Sequence, residues 1–179
     1  HDRSLFIDAM SAFGAINLNA DHIYFVALVA SSNKCLEGVP GVGFALIREQ
    51  ALEACEKNAH SLSLDLYDQW RNMHTTAQWR FTPPTHVIAA LDKAIEQFEA
   101  EGGVAGRFTR YSENCRILTE GMRELGFETL LTDNLQAPII VTFKMPYDQA
   151  FDFSSFYDQV KERGFVLYPG KLTIVPSFR

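Results

Sequence analysis

The chain has 179 residues, 47% apolar, 12% aromatic and 21% charged, with a formal net charge of −6. That is a globular composition, long enough to bury about 70% of its unfolded surface, and it excludes a disordered chain. No basic block or stripe stands out, so duplex nucleic acid is not an expected partner, since its phosphates must be met by many Lys and Arg.

The three cysteines, Cys35, Cys55 and Cys115, are odd in number and lack ligand spacing. They argue against a disulfide framework and against zinc, and read as small apolar residues in a reducing cytoplasm. No apolar run reaches the roughly 18 residues of a membrane span, and no signal peptide is recognisable, so no membrane association is expected. The chain begins at His1 rather than Met and enters an apolar stretch at once. It stops at Arg179, just after another. The expectation is a piece cut inside a fold at both ends.

In chain order, residues 5–7 read as a short buried strand ending at Asp8, and residues 23–30 as a second strand rich in β-branched and aromatic side chains. After the GVPGVG turn, residues 44–47 form a third. Residues 52–57 read as a short helix. The stretch 61–84 is polar and aromatic without a clean period and reads as a long loop, a kind that usually carries function. Pro83-Pro84-Thr85 opens a strong helix capped by Thr85, with an apolar stripe of Val87, Ile88, Leu91, Ile95 and Phe98. Gly102-Gly103 ends it, and a second long helix follows over 104–125, stopped by Gly126. Then come a strand at 138–143, an amphipathic helix at 153–163 before Gly164, and strands at 165–167 and 172–175 around a Tyr-Pro-Gly turn. Strand, helix and two strands after a long helix suggest a small α+β domain, with a boundary near residue 103.

Four places can carry chemistry. Lys34 follows an apolar strand and precedes Gly38, Gly41 and Gly43. It is either a solvated surface lysine or a reactive amine of the Schiff-base type, with Ser31, Ser32 and Asn33 beside it as hydrogen-bond donors. Asp8 ends the first strand. It either caps the next turn through Ser11 or faces a cationic ring nitrogen such as that of pyridoxal phosphate. Arg80, Thr82 and Thr85 flank a Pro-Pro step before a helix, where a phosphate can bind. Thr85 reads as the helix cap, which leaves Thr82 as the ligand candidate. Arg179 is a terminal arginine, ordinarily solvated, and gains a role only if the fold continues past it.

An aspartate and a lysine at strand ends, 26 positions apart, resemble the fold-type I pyridoxal-phosphate enzymes. The strings IDAMSAFGA, SSNKCLEGVPGVGF, SLSLDLYDQW, QWRFTPPTH and GFVLYPGKLT, in this order, closely resemble the 2-aminoethylphosphonate–pyruvate branch of the class V aminotransferases. The resemblance runs through essentially the whole chain and implies an α/β fold. Residues 1–102 would be the C-terminal part of the cofactor-binding large domain of a fold-type I transferase. Residues 103–179 would be the small α+β C-terminal domain, truncated at its end.

It also implies pyridoxal 5'-phosphate as cofactor and no metal. Lys34 would hold the cofactor covalently and move the proton, Asp8 would hold the pyridine nitrogen, and the Ser31 hydroxyl would reach toward the phosphate. Thr82 would bind the phosphate in the site of a second subunit, which makes the protein a homodimer with sites at the interface. Arg179 would receive the carboxylate of pyruvate or alanine. The implied reaction is transamination of 2-aminoethylphosphonate with pyruvate, giving phosphonoacetaldehyde and alanine, in the cytoplasm. Two alternatives stand beside it. One is another class V aminotransferase of the alanine or serine–glyoxylate or –pyruvate type. The other is a non-catalytic fragment unable to hold the cofactor, because the family's N-terminal part, absent before His1, supplies the amide turn around the phosphate and the ring that stacks on the pyridine.

Overall fold

The computed structural model describes residues 3–171 and 174–179. The chain divides into two compact units, His1–Arg107 and Phe108–Arg179.

The first unit is organised by a three-stranded sheet in the order β1 (Phe6–Asp8), β2 (Ala27–Ser31), β3 (Gly43–Ile47). β1 runs parallel to β2, with Phe6 opposite Ala27 and Asp8 opposite Val29. β3 returns antiparallel, with Leu28 opposite Leu46 and Ser31 opposite Gly43. The alternation in β2 decides which face is covered: Leu28 and Ala30 are buried, while Val29 between them is exposed. Ala9 and Phe25 join them in a core flanked by Ile7, Phe13 and Phe44, and the Phe13 and Phe44 rings meet edge to face at 5.2 Å. Full burial of such a ring is worth roughly 2 kcal/mol, a gain that applies to Phe25, while the partly buried Phe13 and Phe44 gain less.

The strand boundaries differ from the sequence reading for physical reasons. β1 starts one residue late and is not buried. It is an edge strand, and Leu5 and Phe6 stay exposed. β2 starts four residues late, because Asn19 folds 19–23 into a turn. Its side chain accepts the Asp21 amide and its carbonyl accepts the amides of His22 and Ile23.

Helix α1 (Glu49–Glu53) begins ahead of the expected stretch and buries Leu52. Helix α2 (Leu66–Thr76) stands where a loop is expected. The Asp65 carboxylate caps it by accepting the Asp68 amide at 3.0 Å, and Ala77 closes it in the left-handed region. Helix α3 (Thr85–Ala100) opens at Pro84, whose carbonyl accepts the amides of Val87 and Ile88. Thr85 is therefore the first helical residue and not the cap, and no side chain caps this helix. Of the expected stripe, Ile95 is exposed, and the buried contact of α3 is Ala94. Helix α4 (Gly103–Glu124) carries the chain from the first unit into the second. Gly126 follows with φ +88°, a value that favours glycine after a helix.

In the second unit, β4 (Phe143–Lys144) and β5 (Ser177–Phe178) form a short antiparallel ladder. Helix α5 (Phe153–Glu162) is capped by Asp152, which accepts the Ser155 amide at 2.7 Å. Val141, Phe143 and Phe178 are the buried centre. The Phe178 ring lies 5.5–5.9 Å from the rings of Phe127, Phe143, Phe153 and Phe156. Of the expected strand 138–143, residues 138–139 are turn, 140–142 are irregular and only Phe143 joins a strand, while the Gln136 amide donates to the carbonyls of Ala137 and Ile140. Residues 165–167 are not a strand. Of the expected strand 172–175, Leu172 and Thr173 lie outside the described residues. Ile174 and Val175 form a bend, and the pairing falls later, at Ser177–Phe178.

Candidate active site

β1 and β2 run in the same direction and finish side by side, at Asp8 and Ser31. The C-terminal end of parallel strands is where α/β folds gather ligand groups. Asp8 is exposed rather than paired in the interior. Its Oδ1 accepts the Met10 amide at 3.0 Å, an Asx turn that fixes the carboxylate without using Ser11. Its other oxygen has no hydrogen bond among the described residues. Ser31 is the reverse case, buried with an Oγ that has no hydrogen-bond partner among the described residues. Such a hydroxyl costs about 1–3 kcal/mol unless something meets it.

The loop after β2 is built around Ser32, which is completely buried. Its hydroxyl lies 2.7 Å from the Val39 carbonyl, and its own carbonyl accepts the Gly38 amide at 2.8 Å. A Cβ on Gly38 would sit 2.8 Å from that same carbonyl oxygen, so the residue must be glycine. Within this frame, residues 34–37 make a tight turn closed by the Glu37 amide on the Lys34 carbonyl at 2.8 Å. Glu37 has φ +59°, an unusual conformation for a side-chain-bearing residue. Lys34 itself is exposed, and its ammonium makes no ion pair among the described residues. Cys35 points inward. It is buried, and its thiol donates to the Ser11 carbonyl at 3.1 Å, which ties the lysine turn to the loop after Asp8. Burial pushes the Cys35 thiol up, partly offset by the nearby Arg107 charge.

The side chain missed in the sequence is Arg107. It stands in the first turns of α4 and is completely buried. It donates to the Cys35 carbonyl, lies 3.6 Å from the Glu37 carboxylate and binds Glu101 at 2.7 Å. Phe98 covers its guanidinium. Its only trace in the sequence is an arginine inside the glycine-rich string EGGVAGR.

Thr82, Arg80 and Arg179 make no hydrogen bond or ion pair with this cluster among the described residues. Gly41, at φ +135°, faces Val87 on the first turn of α3, so the helix entry packs against the far side of the lysine loop. Thr82, just before that entry, is exposed and lines an open cavity formed by residues 77–83. Arg80 is held back by Asp68 at 3.2 Å and by the Leu62 carbonyl at 2.9 Å. No hydrogen bond joins Thr82 to the lysine turn among the described residues. Arg179 belongs to the second unit, where its amide and carbonyl pair with those of Tyr168. Two residues earlier, Ser177 has a second buried hydroxyl without a hydrogen-bond partner among the described residues. No group of three or more metal-ligating side chains occurs among the described residues.

The family model described as aminotransferase class-V matches residues 1–171. The chain belongs to the class-V aminotransferases. It is 57% identical over all its residues to the 2-aminoethylphosphonate–pyruvate transaminase 2 of Burkholderia lata, covering 48% of that protein. It is 54% identical over its full length to a 2-aminoethylphosphonate–pyruvate transaminase of Pseudomonas putida, covering 49% of it. The chain thus spans about half the length of the curated relatives it matches. Among solved structures, the pyridoxamine–pyruvate aminotransferase of Mesorhizobium loti superposes with TM-score 0.85 over 98% of this chain and 45% of its own, at 21% identity. The ureidoglycine–glyoxylate aminotransferase of Bacillus subtilis gives 0.83 over 99% and 46%, at 19% identity. These class-V folds establish the α/β architecture of the chain.

Class-V aminotransferases depend on pyridoxal 5'-phosphate, and the residues at the sheet end fit that group. An unpaired exposed amine, a carboxylate with one free oxygen and an orphaned buried hydroxyl lie at the ends of two neighbouring strands and in the turn that follows. No helix among the described residues is long and apolar enough to cross a membrane.

Proposed function

We propose that this chain carries the lysine, aspartate and serine of a pyridoxal-phosphate site, and that the intact protein transfers the amino group of 2-aminoethylphosphonate to pyruvate. The products are phosphonoacetaldehyde and alanine. The observation that carries the reading is the convergence of Asp8, Ser31 and the Lys34 turn at one end of the sheet, with the Ser31 hydroxyl left unmet. The 54–57% identity to transaminases of that name supports the substrate pair.

Bound pyridoxal phosphate supplies an electron sink for charge that develops on the substrate carbon. The residues supply the rest. Lys34 Nζ, free of ion pairs, holds the cofactor and then carries the proton to and from that carbon, a contribution on the order of 10²–10⁴ in rate. Asp8, already oriented by the Met10 amide, would hold the ring nitrogen through its free oxygen and favour the protonated form. The Ser31 hydroxyl donates to the phosphate. Thr82, exposed at the entry of α3, serves the phosphate of a second subunit, which makes the working unit a cytoplasmic homodimer. Arg179 receives the carboxylate of pyruvate.

The test is turnover of the intact protein with 2-aminoethylphosphonate and pyruvate, set against alanine and glyoxylate. The first pair is expected to react faster, and Lys34→Ala to lose that activity. Faster reaction of alanine with glyoxylate assigns the protein to another branch of the family. Turnover retained by Lys34→Ala contradicts the site.

A further inference from the structure

We propose that Arg107 is a positioning residue for Lys34: it clamps both sides of the lysine turn, through the Cys35 carbonyl and the Glu37 carboxylate, and so holds the amine where it reacts. The inference rests on the functional reading above for what the amine does, but not for the clamp itself.

The turn has reason to move. Its closing residue, Glu37, is in the left-handed region, which costs a residue with a Cβ roughly 1 kcal/mol or more. The hydrogen bond from the Glu37 amide to the Lys34 carbonyl closes it. Lys34 is exposed and contributes no side-chain anchor of its own. Its neighbours are anchored instead. Cys35 is fixed twice, by its thiol on Ser11 and by its carbonyl on Arg107. Glu37 is fixed by its carboxylate at 3.6 Å from the same guanidinium.

Arg107 is well made for this work. It is completely buried, so its charge must be fully met, and removing a partner of such a charge is severe. Glu101 meets it from the other side, with both Nε and Nη2 within 2.8 Å of one carboxylate oxygen. Glu101 is brought there by the glycines of the helix entry. Gly102 and Gly103 have φ +101° and +64°, and a Cβ on Gly106 would lie 1.9 Å from the Glu101 carbonyl oxygen. The string EGGVAGR is therefore one device, a glycine-built corner that aims a buried cation at the turn carrying Lys34. The planar fork lets one side chain hold a carbonyl and carboxylates at once in a fixed geometry, which the point charge of a lysine does less well.

The experiment compares Arg107→Met, Arg107→Lys and Glu37→Gln in the intact protein by amide hydrogen exchange and by steady-state kinetics. In Arg107→Met the amides of Glu37 and Gly38 are expected to exchange at least ~10-fold faster, while the β2–β3 amides keep their protection. Misplacement of a reacting group by about 1 Å costs up to ~10²-fold, so kcat should fall 10- to 100-fold with little change in KM for pyruvate. Arg107→Lys is expected to recover part of both effects. If Arg107→Met does not fold, Glu37→Gln decides the matter, because it removes one anchor and leaves the buried cation paired to Glu101. It should show the same local loss of protection on a smaller scale. Unchanged exchange at Glu37 and Gly38, in Arg107→Met or in Glu37→Gln if the former is unfolded, overturns the proposal. So does a loss of protection spread equally over the sheet. The exchange readout needs no cofactor, so a protein that shows the local loss but never turns over overturns the functional reading and leaves the clamp standing.

Discussion

Asp8 stands opposite Val29 on the neighbouring parallel strand, two residues before Ser31, so the carboxylate and the buried hydroxyl share one end of the sheet. Their situations are opposite. The carboxylate is exposed and half satisfied, whereas the hydroxyl is enclosed and unsatisfied. Ser31→Ala separates what the two do. Removing an unmet buried hydroxyl should raise the stability of the cofactor-free protein by about 1 kcal/mol. The same change should weaken pyridoxal-phosphate binding about 10-fold, the loss of one hydrogen bond to a charged group. Thermal melting with and without cofactor reads both. A variant less stable in both states would mean that the hydroxyl has a partner within the protein.

Two glycines predict opposite outcomes for the same substitution. Gly38→Ala places a methyl 2.8 Å from the Ser32 carbonyl oxygen, in a loop with no room to yield. It should destabilise by about 1–3 kcal/mol and lower Lys34 reactivity with it. Gly121→Ala lies within α4 with no heavy atom within 4 Å of the new methyl. There the gain in helix propensity should stabilise by about 0.5–1 kcal/mol. Chemical denaturation of the two variants checks the pair.

The three thiols should react in a set order. Cys55 is exposed, Cys115 is partly covered, and Cys35 is buried. Burial pushes the thiols of both Cys35 and Cys115 up, which disfavours the reactive thiolate. Iodoacetamide labelling followed by peptide mass mapping should therefore modify Cys55 first and Cys35 last. Early labelling of Cys35 in the folded protein would contradict its placement against Ser11.

Acid should weaken the second unit through its carboxylates. Hydrogen bonds from Arg123 and Lys144 hold Asp133 and Glu128 below their ordinary values, and the Ser155 amide does the same for Asp152. Each group is depressed in the folded state. Its contribution is therefore complete above the ordinary values of 4.5 for Glu and 3.8 for Asp, and is lost as pH falls through the lower folded ones. The melting midpoint should hold from about pH 7 to about pH 5 and drop below about pH 4.5. Lys144→Met should flatten that drop. All these groups are exposed, so the effect should also shrink at high salt.

What the sequence disclosed followed the strength of its local signals. The long helices were legible from their punctuation: Pro83-Pro84, an apolar period and Gly102-Gly103 for α3, and the Gly126 stop for α4. Helix α2 was not, because its apolar stripe of Leu66, Trp70 and Met73 is short and lies within a polar stretch. A second signal was Asp65, three positions before Asp68. The strand at 138–143 looked right by composition, but the Gln136 side chain takes the Ile140 carbonyl four residues on, a local choice invisible to strand propensity. In the site, Lys34 and Asp8 stood out because strand ends are readable. Arg107 did not, because its meaning lies in a contact across 72 positions with the Cys35 carbonyl.

The central claim is that Lys34 is the amine that takes up pyridoxal phosphate, and borohydride trapping of the intact protein followed by peptide mapping tests it most directly. The account predicts a reduced pyridoxyl group on Lys34 alone, absent from Lys34→Ala. Label spread over Lys57, Lys93, Lys144, Lys161 and Lys171, or undiminished in Lys34→Ala, would contradict it.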